Sequence, residues 1–257
     1  MDALLSDQQF LFLAATVLVA GIARGLSGFG TGMITAPIAA ALYDPITAVV
    51  LITIIDSLPI LPVTIPVLKH ARWREVLPIF AGLTLFLPVG VYILKNTDPT
   101  PMRWIICIAI LLCVSALWRG WRYRGPRSIP VSFSVGSVAG VLSGVASIPG
   151  PPVIIYWLAS ALPAMIMRAN LLTLFLLGEI MSLGNLWAAG LFEMPRIILG
   201  LASAPVYLAG LLTGWFLYGF ASERTYRRIT FTLIIAAAIT ALPATEQILR
   251  LMIETVG

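Results

Sequence analysis

The sequence is short of charge, cysteine and histidine. Only 11% of its 257 residues are charged, while 60% are hydrophobic, against about 25% and 45–50% in an average soluble domain. So little polar surface excludes a soluble fold of this length. Cys107 and Cys113 fall six residues apart in one apolar segment, on different faces of one helix, which excludes a disulfide between them. The single histidine, His70, lies in a basic loop, and no set of His, Cys or carboxylate residues has metal-ligand spacing, so no metal and no cofactor is expected. A nucleophile, base and orienter set is also missing, and no enzyme is expected.

What is present is a series of apolar segments. They run from about Gln9 to Ala23, Phe29 to Leu42, Ile46 to Leu68, Val76 to Leu94 and Trp104 to Trp118, then Ile129 to Ala146, Val153 to Leu162, Met165 to Leu191, Ile197 to Phe220 and Ile229 to Leu242. Several are long enough to cross about 30 Å of hydrocarbon at 1.5 Å per residue, and lipid allows only helices or closed barrels to span it. The expected fold is therefore all-α, a polytopic membrane protein of eight to ten helical segments. The segments beginning at Phe29 and Val153 are short or interrupted by Gly and Pro, and read as half-helices or re-entrant hairpins. The first stretch follows Asp2 and Asp7 instead of a basic leader, and reads as a permanent span. A net charge of +5 does not point to nucleic acid, because most Lys and Arg sit in three short loops, the footprint of membrane topology. Trp73, Trp104, Trp118, Trp121 and Trp187 fall mostly near span ends, as interface anchors do.

The order of segments repeats. Residues 21–32, GIARGLSGFGTG, line up with residues 140–151, GVLSGVASIPGP; each has a GxxxG step, then an unwinding segment, then an apolar run. Further on, Asp56 aligns with Glu179. This divides the chain into a first repeat, 1–124, with its motif from Gly21 to Pro37, and a second, 125–257, with its motif from Gly140 to Pro152. The loop with Lys69, Arg72 and Arg74 is basic while its counterpart around Glu193 is not, and Arg224, Arg227 and Arg228 outnumber the charges around Lys95 and Asp98. Counterpart loops thus swap sides. With the connector bearing Arg119, Arg122, Arg124 and Arg127 inside, the halves read as inverted repeats with the amino terminus outside.

An ionised side chain at membrane depth costs at least about 2.5–3.5 kcal/mol, so charges within spans are functional candidates. Arg24, Asp56, Arg168 and Glu179 are those. Singly, each GxxxG reads more readily as close helix packing than as a ligand site. The aligned Gly/Pro breaks at Ser27 to Gly32 and Ser147 to Pro152 point further, because an unwound helix directs amides and the positive end of a dipole at a cavity. The candidate substrate-binding residues are Arg24, Ser27, Gly28, Gly30, Thr31, Ser147, Gly150, Arg168 and Asn170. Asp56 and Glu179 are candidates for proton coupling, or are structural partners of the two arginines. The ligand expected is a small anion held by guanidinium forks, hydroxyls and amides.

At these residues the sequence resembles the sulfite exporter TauE/SafE family of bacterial permeases. The resemblance lies in residues 24–30, RGLSGFG, with Pro37 after them, in residues 140–144, GVLSG, leading into a Gly- and Pro-bearing segment, and in Arg168, Ala169 and Asn170 before Phe175. It implies a multi-pass protein of a bacterial inner membrane that exports sulfite or an organosulfonate such as sulfoacetate. An anion channel, or a permease for another sulfur-containing or carboxylate anion, is the alternative. Expected partners are the small anion and the bilayer, with no nucleic acid; a homodimer is left open. The second motif departs from the family, reading Pro149, Gly150, Pro151, Pro152 where a run of glycines is usual, which makes the two half-sites unequal.

Overall fold

The apolar segments fold almost residue for residue into ten α-helices among the described residues: α1 (Gln8–Ser27), α2 (Thr31–Leu42), α3 (Pro45–Thr64), α4 (Trp73–Asn96), α5 (Pro99–Trp118), α6 (Ile129–Ala146), α7 (Gly150–Trp157), α8 (Ala164–Ala188), α9 (Met194–Leu217) and α10 (Glu223–Thr240). A 3-10 turn, Ile65–His70, joins α3 to α4. The computed structural model describes residues 8–126, 128–157, 162–217 and 223–244, leaving out the side chains at 58–63, 66–67, 164, 223–224 and 226–227. Asp2 and Asp7, used in reading the first span, and Arg127 and the side chains of Arg224 and Arg227, used in the loop-charge reading, fall outside those described. Described Cys107 and Cys113 are both free.

Six helices, α1, α4, α5, α6, α8 and α9, are long and apolar enough to cross a membrane. Their outward side chains are apolar: Leu85, Tyr92, Leu112, Trp215 and Phe216 are all exposed, as they must be when the surrounding solvent is hydrocarbon. Trp73, Trp104, Trp118, Trp121 and Trp187 are exposed too. By contrast α2, with 12 residues, spans about 18 Å and α7, with 8, about 12 Å, so neither crosses the hydrocarbon alone.

Glycine seams fix the packing. α1 lies against α9 and α6 against α4. A Cβ on Gly21 would stand 2.6 Å from the Tyr207 carbonyl, and one on Gly25 2.5 Å from that of Leu211; on the other seam, a Cβ on Gly144 would stand 2.5 Å from the Val91 amide. Backbones this close tolerate no side chain, so both GxxxG steps serve helix packing. The seams leave α3 and α8 packed on each other, with α3 also on α2 and α9. Asp56 and Glu179 are thereby carried into the interior.

Candidate functional site

α1 ends at Ser27 because Gly28 and Gly30 adopt φ of 80° and 114°, in the left-handed region that glycine enters without a Cβ penalty. The Ser27 hydroxyl lies 2.7 Å from the Ala23 carbonyl and 2.8 Å from that of Phe29, tying off the break from within. α6 ends differently. Ser147 takes the left-handed conformation at φ 56°, and its amide donates to the Ser143 carbonyl at 2.8 Å. The two breaks touch, since Gly32 in the first turn of α2 lies directly against the Ser147 carbonyl.

A cavity of about 50 Å³ lies where they meet. α1 contributes Arg24 to it, α2 Thr31 and the backbone of Gly32 and Met33, α3 Asp56, α6 Ser143, and α8 Glu179 and Ser182; Gly30, Ser147 and Gly150 line it from the breaks. The amides of Thr31, Gly32 and Met33 begin a helix and have no backbone acceptor among the described residues; the first such bond of α2 runs from the Ile34 amide to the Gly30 carbonyl at 3.0 Å. They are free donors at the positive end of a helix. α7 is poorer in donors, because Pro151 and Pro152 in its first turn have no N–H.

The charged groups are interlocked. Arg24 Nη1 donates to Asp56 Oδ2 at 3.2 Å. The other carboxylate oxygen, Oδ1, accepts the hydroxyl of Tyr207, and Tyr207 Oη is 2.8 Å from Thr31 Oγ1. Glu179 has a weaker attachment, accepting from Ser57 Oγ at 3.5 Å, while Ser143 and Ser182 are 3.4 Å apart across the cavity. Among the described residues lining the cavity there is one arginine and two carboxylates.

Of the residues expected from sequence, Arg24, Gly30, Thr31, Ser147, Gly150, Asp56 and Glu179 line one cavity. Four do not. Ser27 is committed to the backbone of the break, and Gly28 is exposed beside it. Arg168 is exposed in the second turn of α8, away from the cavity. Asn170 is fully buried, and its Oδ1 accepts the Arg72 amide at 2.7 Å, so it pins α8 to the start of α4. The balance of two acids against two bases does not hold at the cavity, because Arg168 is not there.

Tyr207, Ser143, Ser182 and Phe175 were not foreseen. Ser143 had a signal, since it occupies in GVLSG the place that Arg24 occupies in GIARG. Tyr207 had little: it is one aromatic in an apolar span that reads as scaffold. Its role comes from the seam, where Gly21 lies against the Tyr207 carbonyl and so sets the position of this residue relative to Arg24.

Comparison with curated proteins and with solved structures gives no match. The sulfite exporter TauE/SafE family profile matches residues 13–241, a stretch that holds both breaks and every cavity-lining group named above. A described chain that is all helix, with six apolar spans and polar groups gathered at two opposed helix breaks, thus belongs to the sulfite exporter TauE/SafE family of membrane transporters.

Proposed function

We propose that the protein is a secondary carrier that binds a small oxyanion, sulfite or a related sulfonate, between its two helix breaks. It moves the anion across a bacterial inner membrane by alternating access, outward as the family name has it. The observation that carries this reading is that one cavity is lined by Arg24 and by Thr31, Gly32 and Met33 at the start of α2, whose amides have no backbone acceptor among the described residues. A guanidinium presents a planar fork to two oxygens of such an anion, and amides at a helix start add partial positive charge. Thr31, Ser143, Ser147 and Ser182 offer hydroxyls around it.

Size narrows the substrate. A water needs about 10–15 Å³ of such space, so about 50 Å³ holds an anion as small as sulfite. Sulfoacetate, roughly twice as large, requires the site to widen.

The halves, 1–124 and 125–257, are read as inverted repeats. The first helix of each half packs on the fourth of the other, α1 on α9 and α6 on α4, which is the exchange a pseudo-two-fold axis generates; that the axis lies in the membrane plane is argued from the swap of basic loops between the halves. Rocking of one half against the other would expose the cavity to each side in turn. The test is counterflow in proteoliposomes. A carrier preloaded with unlabelled sulfite accumulates labelled sulfite transiently, whereas a channel passes it without overshoot, and that result would replace the carrier by the channel.

A further inference from the structure

The cavity holds one cation and two carboxylates, yet its donors suit an anion. With both acids ionised, an incoming anion would face described groups of net charge −1, among which the one arginine already has a partner. The groups facing Asp56 are Arg24 from α1, Tyr207 from α9, Thr31 from α2 and Glu179 from α8. Asp56 is bound at both oxygens, Oδ2 to Arg24 and Oδ1 to Tyr207. Asp56 holds Arg24 through Nη1, so an anion that takes a fork including Nη1 displaces it, and a carboxylate released inside the protein without its cation is costly unless it gains a proton.

The hydroxyl chain beside Asp56 gives that proton a second effect. Tyr207 donates to Asp56, so its single hydrogen is committed and Thr31 must be the donor in the Thr31–Tyr207 bond. Both hydrogens are then committed within the chain, and Thr31 has only oxygen lone pairs left to offer. When Asp56 is protonated the order reverses: Asp56 O–H donates to Tyr207, Tyr207 to Thr31, and the Thr31 hydrogen is freed.

We propose that Asp56, Tyr207 and Thr31 form a hydrogen-bond polarity switch that couples uptake of one proton to binding of one anion: the anion replaces Asp56 on Arg24, Asp56 takes the proton, and Thr31 turns from acceptor to donor. The proposal rests on the anion site described above. The proton comes from hydronium of the bulk solvent, whose O–H bond breaks to leave water as one O–H bond forms at Asp56, and the two hydroxyls keep one hydrogen each. Tyr207 touches no substrate. It is a positioning residue that transmits the protonation state of Asp56 to Thr31, which does line the cavity.

The experiment is titration of the purified full-length protein with methanesulfonate, whose charge is fixed over the working pH range, and with sulfite. Wild type, Tyr207→Phe, Thr31→Val and the double variant are compared from acid to alkaline pH. Wild-type affinity for methanesulfonate should fall with rising pH, approaching about tenfold per unit where one proton accompanies each anion. At the acid end each single variant should lose about tenfold, the worth of one hydrogen bond to a charged group. The double variant should lose no more than either, because both changes break one chain. Additive losses, or wild-type affinity in Tyr207→Phe at acid pH, overturn the switch while leaving the anion site standing. If wild type binds neither anion at any pH, the site itself is wrong and the switch goes with it. Thermal stability of each variant separates a folding defect from lost coupling; should Tyr207→Phe fail to fold, a loss of about tenfold in Thr31→Val at acid pH supports the switch, and wild-type affinity there refutes it.

Discussion

Gly32 of α2 and the carbonyl of Ser147 at the end of α6 are in direct contact, with no room between them for a Cβ. This contact brings together two helix breaks that are more than a hundred residues apart in sequence, and the cavity exists because of it. Gly28 is a different kind of glycine. It has open space around it and a φ of 80°, so its requirement is conformational.

The two substitutions should therefore separate. Gly32→Ala forces the breaks apart and should cost about 1–3 kcal/mol of stability together with most of the anion binding. Gly28→Ala should cost about 1–2 kcal/mol through its left-handed backbone while anion binding survives in the folded fraction. Thermal unfolding and anion titration of the two variants, measured side by side, check this. Loss of binding in Gly28→Ala alone would reverse the assignment.

Charge recognition should lie with Arg24 and not with Arg168. Arg24→Lys keeps the charge but removes the planar fork, and loss of one charge-assisted hydrogen bond of about 1.5–3 kcal/mol should weaken anion binding roughly ten- to a hundredfold. Arg168→Ala, on an exposed turn outside the cavity, should bind within about twofold of wild type, inside the range of surface changes. Equilibrium titration with sulfite decides, and equal losses would return Arg168 to the site.

Why Arg168 misled is a matter of length. An arginine beside an apolar run, with no loop to explain it, suggests a charge within the bilayer. However, α8 has 25 residues, about 37 Å of helix, and so outruns the hydrocarbon by roughly one and a half turns. Arg168 is in the second turn of α8 and exposed, near enough to that end for its charge to need no site. The breaks were legible because Gly and Pro disrupt helices by local chemistry, and Asp56 and Glu179 because charge inside a span is costly wherever it falls. Tyr207 was not legible: its partner Thr31 is 176 residues away, and only packing across the glycine seam joins them. Ser143 marks the inequality of the half-sites better than the proline-rich break does, since a serine there faces Ser182 where the first half has the Arg24–Asp56 pair.

Topology can be tested without any substrate. Glu193 and Arg122 are both exposed, at the start of α9 and in the connector between halves, and inverted repeats put them on opposite sides of the membrane. In a background lacking Cys107 and Cys113, a cysteine at 193 should react with an impermeant thiol reagent added outside cells, and one at 122 only after permeabilisation. Labelling of 122 but not 193 from outside would contradict the assigned sidedness.

Asp56 and Glu179, aligned with each other in the sequence reading, should respond unequally to neutralisation. Asp56 holds Arg24 at 3.2 Å with both side chains largely buried, so Asp56→Asn leaves a guanidinium without its counter-charge. Breaking a buried pair from one side costs about 3–5 kcal/mol; the residual exposure of this pair and the nearby Glu179 charge soften that to about 2 kcal/mol or more. Glu179 accepts from Ser57 at 3.5 Å and has no ion pair within 4 Å among the described residues, so Glu179→Gln leaves no cation stranded. It also removes one negative charge from the cavity wall. The expected outcome is a clear drop in melting temperature for Asp56→Asn and near wild-type stability for Glu179→Gln, with tighter anion binding in the latter because the anion no longer approaches that carboxylate. Thermal unfolding with and without sulfite measures both effects at once. Equal destabilisation of the two variants, or weaker sulfite binding in Glu179→Gln, would mean that Glu179 is the acid that holds Arg24 in the working protein.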